Sequence, residues 1–167
     1  MKRIIAITSI FIALAAGALA LGIVVGPLSA DEAAHVSKDP AFYNSLGYQL
    51  VQQGKSVDAQ AAFAKAVELD AHYQNALSNL ATVAFQNQDY LTAIGALRVL
   101  TADYPTNANY HFDLGQNLAS QARYVDADLG KLSEAAQEFD TADVLQPGFP
   151  HATDNAAIVR GVIADVS

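Results

Sequence analysis

Four imidazoles stand at His35, His72, His111 and His151, with no HxxxH or HExxH spacing that would set two on one helical face. The chain has no cysteine. Disulfides, thiol catalysis, Cys-ligated zinc and iron–sulfur clusters are therefore excluded. Asp126, Asp128 and Gly130 have part of the spacing of a calcium loop, but the glycine comes one position early and Gln137 stands where a bidentate Glu is required. No strand pattern is visible, and no glycine-rich loop is placed to cradle a phosphate. Without an acid–base pair or an activated nucleophile, the expectation is a non-enzymatic protein with no metal, no cofactor and no small-molecule substrate.

Charge narrows the class of partner. The chain of 167 residues has a formal net charge of −8. Lys2 and Arg3 are the only charged residues before Asp31, so everything after residue 30 is more acidic than the whole. A body of this sign repels phosphate backbones, which excludes nucleic acid and leaves other proteins as partners.

The elements that position these residues begin with an uncharged run from Ile4 to Gly26. As a helix it would extend ~34 Å, enough for a hydrocarbon core. Within it Ala18, Gly22 and Gly26 recur every four residues, a small-residue stripe suited to close packing on another transmembrane helix. Two readings stay open for residues 1–30: a retained transmembrane anchor or a cleaved signal peptide. Cutting after Ala20 leaves the apolar terminus Leu21-Gly22-Ile23, and cutting after Ala30 puts the bulky Leu28 where a small residue is preferred. Both give the same topology, with Lys2 and Arg3 cytoplasmic and Asp31-Glu32 opening the exported side. The expected location is the bacterial inner membrane with a periplasmic body, or the periplasm alone after cleavage. Residues 31–39 read as a short connector.

From Pro40 the sequence repeats. Tyr43, Leu46, Gly47 and Leu50 share one helical face, and Ala59, Phe63, Ala66 and Leu69 share another. Displaced by 34 residues, the first set becomes Leu77, Leu80, Ala81 and Ala84, and then His111, Leu114, Gly115 and Leu118. The second set becomes Ala93, Leu97 and Leu100, and then, eight residues late, Ala135, Phe139 and Ala142. Units of 40–73, 74–107 and 108–149 follow, with an insertion at 123–130 expected to be a lengthened solvated turn or a partner-contacting loop. Pro105 and Pro147 end helices. Residues 150–167 read as one capping helix with Asp154 as N-cap and Ala157, Ile158, Val162, Ile163 and Val166 on its buried stripe.

This pattern resembles the tetratricopeptide repeat, through Tyr43, Leu46-Gly47, Ala59, Phe63 and Ala66 in the first unit, Leu80-Ala81, Tyr90, Ala93 and Pro105 in the second, and Leu114-Gly115, Ala135, Phe139, Ala142 and Pro147 in the third. The expected fold is all-α: an N-terminal transmembrane or signal helix, a three-repeat solenoid and a capping helix. The resemblance implies a protein–protein interaction scaffold in which the first helix of each pair lines a concave groove. The groove positions would be Asn44, Tyr48, Ser78, Asn79, Thr82, Phe85, Asn109, Phe112 and Gln116, together with Gln52 and Asp113. Relatives that clamp a C-terminal carboxylate use Lys and Arg at such places, and none stands here. An amide, hydroxyl and aromatic surface suits an extended peptide. The expected role is an accessory or assembly subunit of a membrane complex, with integral-membrane subunits as partners; the alternative is a secreted adaptor for extended segments.

Overall fold

The computed structural model describes residues 38–166, which form seven α-helices. These are α1 (Pro40–Gln52), α2 (Ser56–Leu69), α3 (Gln74–Gln86), α4 (Tyr90–Asp103), α5 (Ala108–Gln121), α6 (Leu129–Leu145) and α7 (Ala152–Val166). The apolar run 4–26 with its Ala18, Gly22 and Gly26 stripe, both cleavage sites and the connector up to Ser37 lie outside the described residues. Among the described residues no helix is long and apolar enough to cross a membrane.

Each start and stop has a local cause. Asp39 caps α1 by accepting from the Ala41 N–H at 2.9 Å, and Pro40 follows at the first helical position, where no N–H is needed. Asp89 caps α4 through the Thr92 N–H, and Asn107 caps α5 through the Asn109 N–H. The turns closing α1 and α3 pass through a left-handed residue, Gly54 at φ 72° and Gln88 at φ 62°. The same conformation ends the third such helix, at Ala127 with φ 51°.

Successive helices pack antiparallel in the pairs α1/α2, α3/α4 and α5/α6, and each pair packs on the next. The seam within each pair is lined by small residues: Ala59, Ala93 and Ala135 are wholly buried. Phe63, Leu97 and Phe139 fill the space beside them, and a continuous core runs from Ala59 to Val159. Polar ties cross between pairs. The Asn87 amide donates to Gln60 and to the Ser56 carbonyl, Gln60 donates to Asp89, and Arg98 forks onto both oxygens of Glu134 at 2.9 Å.

Two regions depart from expectation. The insertion at 123–130 is largely helical. The chain leaves α5 through a π-helical turn at Ala122–Asp126, bends at Ala127, and enters α6 three residues after that turn ends. Extra residues are absorbed at lower cost by prolonging two helices that already bond their own backbone than by opening a loop. The second departure is α7, which begins at Ala152, so that Asp154 falls inside its first turn and does not cap it. Its buried residues are Ala152, Ala156 and Val159, with Ile163 packed against the core, whereas Ile158, Val162 and Val166 are exposed. Alanines let α7 approach α6 closely, and that decides which of two competing apolar stripes turns inward.

Candidate protein-interaction groove

The first helices of the pairs lie side by side and make one face. At the α1/α3 junction the Asn79 amide donates to Asn44 Oδ1 at 2.9 Å. Beside that bond, Tyr48, Asn79 and Thr82 line a small cavity floored by Phe63 and Val83. Tyr48 is 56% exposed where it lines this cavity. The Thr82 hydroxyl turns back onto the Ser78 carbonyl of its own helix. Asn44, Tyr48, Ser78, Asn79 and Thr82 thus come together, with the two asparagines already satisfying one another.

The aromatic groove positions are used differently. Phe112 does not stand open in the groove: it packs on Phe139 and Phe149 with ring centroids 5.4 and 5.0 Å away. Phe85 meets Tyr90 edge-on at 5.8 Å. Both are part of the packing because the helix after each one brings an aromatic within reach. Asn109 and Gln116 remain exposed on α5. Histidine 111 occupies a half-buried slot where its ring nitrogens contact Glu138 at 2.6 Å and the Pro105 carbonyl at 3.0 Å, tying α5 to α6 and to the preceding turn. Asp126 and Asp128 share the Lys131 ammonium at 2.7 and 3.0 Å, and Asp128 also caps α6 through the Gly130 N–H at 2.8 Å.

A larger cavity lies between α5 and α7. It has a volume of about 870 Å³ and is walled by Gln116, Ala119 and Ser120 of α5, Tyr124 of the π-helical turn, Leu129 and Leu132 of α6, and Ile158, Val162 and Val166 of α7. Ile158 and Val166 are 64% and 63% exposed. They recur at i, i+4, i+8 with Val162, a stripe that is visible in the sequence but that reads equally well as core. Gln121 donates to Asp126 across the π-helical turn, and Tyr124 stacks on Tyr90 at 6.4 Å.

One charge on this face is unmet. Asp113 lies one turn before Gln116 on α5, open at its surface yet surrounded at longer range by protein. Desolvation pushes its carboxyl up to about 6. Its backbone carbonyl accepts from Asn117, but among the described residues its carboxylate has no hydrogen bond or ion pair. Arg123 at the cavity rim lies over the Tyr124 ring, 5.3 Å from its centroid.

The tetratricopeptide repeat family profile matches residues 50–118. No curated protein matches the sequence significantly. Among solved structures, the first TPR of Spaghetti (RPAP3) bound to the HSP90 peptide SRMEEVD superposes with a TM-score of 0.61 at 19% identity, covering 77% of this chain and 95% of that one. The first TPR domain of human RPAP3 gives 0.59 at 18%, covering 75% and 93%. MamA from Desulfovibrio magneticus RS-1 gives 0.60 at 19%, covering 81% and 80%. At such identities the likeness is one of fold. Residues 50–118 thus match the tetratricopeptide repeat family model, and the described helical body is similar in fold to solved tetratricopeptide repeat domains.

Proposed function

We propose that this protein is a non-enzymatic scaffold that docks onto other proteins through the face of α1, α3, α5 and α7, as an accessory or assembly subunit on the extracytoplasmic side of a membrane complex. The observation that carries the docking is a single face running from the polar α1/α3 junction to an open apolar cavity of about 870 Å³. Such a face suits an extended segment, whose backbone pairs with amides while its side chains fill pockets. The peptide bound by the RPAP3 domain is a precedent for this use of the fold.

The membrane part of the proposal rests on the sequence: Lys2-Arg3 ahead of the uncharged run 4–26, with Ala18, Gly22 and Gly26 on one stripe. Residues 31–39 join that run to the three units read in the sequence. Anchor and groove contacts on one tether reinforce each other through effective concentration. A second reading, favoured by the small-residue site Ala18-Leu19-Ala20, has the segment cleaved and the body acting as a soluble periplasmic adaptor.

Co-purification from native membranes in mild detergent, with intact mass measured on this chain, tests both. Full-length mass with stoichiometric integral-membrane partners supports the subunit, and Gly22→Leu should then weaken assembly. A shortened chain in the soluble fraction supports the adaptor.

A further inference from the structure

We propose that the segment held by this groove is aliphatic and basic: a Leu-, Ile- or Val-sized side chain enters the cavity between α5 and α7, and a Lys or Arg near it in sequence pairs with the Asp113 carboxylate. The inference rests on the groove-binding reading above and names the chemistry of what is bound.

The cavity sets the first requirement. Its α7 wall presents Ile158, Val162 and Val166 to solvent, although apolar side chains gain from leaving water. Nothing polar stands on that wall except Asn155 at its start, and Gln116 and Ser120 stand on the facing wall of α5, so the α7 side favours an aliphatic side chain over a polar one.

Asp113 sets the second. Its carboxylate has no partner among the described residues and lies about one helical turn from Gln116 at the cavity wall. In an extended segment, side chains two residues apart on one face are separated by roughly 7 Å. One residue can therefore fill the cavity while a neighbour on the same face reaches Asp113. Arg123 at the rim keeps its positive charge while it lies over the Tyr124 ring, so the basic residue of the segment belongs at the Asp113 end and the uncharged aliphatic one beside Arg123. The formal charge of −8 adds long-range attraction for a basic segment and repels an acidic one. Acidic C-terminal peptides are thus the wrong sign for this groove.

The test uses the full chain in mild detergent and a random-peptide phage library as probe, followed by anisotropy titrations of the selected peptides. Selection is expected to enrich peptides with an aliphatic residue close to Lys or Arg. Replacing that Lys by Glu, or the aliphatic residue by Ser, should weaken binding by about tenfold or more. Ile158→Asp should cause a similar loss with an unchanged melting temperature, and Asp113→Asn should erase the preference for Lys over Glu. Peptides that bind with no basic-aliphatic preference, survive Ile158→Asp and are lost with Tyr48→Ala and Asn79→Ala would overturn this proposal while leaving the groove reading intact. A library that yields no binder at all would overturn both.

Discussion

A methyl group built on Gly47 would lie 2.5 Å from Phe63 Cε1, and one on Gly115 would lie 3.0 Å from both the Ala135 carbonyl and Phe139. At the matching place in the middle pair, Ala81 carries that methyl and Leu97 replaces the phenylalanine, both well buried. The seam thus tolerates either glycine with a ring or alanine with a branched chain, at conserved total volume. Leu97→Phe alone should cost about 1–3 kcal/mol by overpacking, and adding Ala81→Gly should restore most of it; thermal melts of the two singles and the double measure the coupling, and purely additive losses would refute the pairing. Asp113 supplies a second expectation at this scale. Its folded pKa of about 6 lies above its ordinary 3.8, so the folded state binds the proton more tightly and stability falls as pH rises through that window. Asp113→Asn should accordingly raise the melting temperature at pH 7 and leave it unchanged at pH 3.

At the scale of elements, α7 is where the sequence and the structure part most clearly. Two apolar stripes compete on it, Ala152-Ala156-Val159-Ile163 and Ile158-Val162-Val166, and hydropathy alone favours the bulkier one. The structure buries the first, because Ala152 and Ala156 allow α7 to approach α6 closely and Val159 and Ile163 follow them into the core. Val159→Asp should then cost about 3 kcal/mol or more, as a carboxylate forced into the core, whereas Ile158→Asp should stay within about 0.5 kcal/mol. Urea titration of both variants decides the register, and the opposite ranking would restore the sequence-based one. The turns between helices hold a further case. Gln88 adopts φ 62° at the place where Gly54 closes the preceding turn, so Gln88→Gly should stabilise by about 0.5–1 kcal/mol.

Across the whole molecule, helix pairs stacked in series make each pair dependent on its neighbours, and the end of the stack must be covered. The last helix does both tasks: one face seals α6 and the other continues the row of first helices, leaving an apolar wall in the groove. Acidic side chains spread over this body repel one another at neutral pH, at a formal charge of −8. Raising sodium chloride from low to physiological concentration should therefore raise the melting temperature, and a flat or falling response would show that specific ion pairs such as Arg98–Glu134 outweigh the general repulsion.

Helix positions from 40 to 149 are legible in the sequence because they depend on short-range causes: the 3.6-residue spacing of apolar side chains, glycine at the turn after α1, and the small residues at Gly47, Ala59, Ala93 and Ala135 that recur in phase. That Asn44, Tyr48, Asn79 and Thr82 lie near one another is legible for the same reason, since they occupy repeated positions. Tertiary structure alone decided the rest. It turned Phe112 toward Phe139 and Phe149, wound the insertion into a π-helical turn, and chose between the two stripes of α7. Each of these outcomes depends on which neighbour can approach within van der Waals contact, and that depends on side chains far away in sequence. Periodicity determines which faces of a helix are apolar; only the shape of the partner surface determines which of those faces is buried and which is left open to bind.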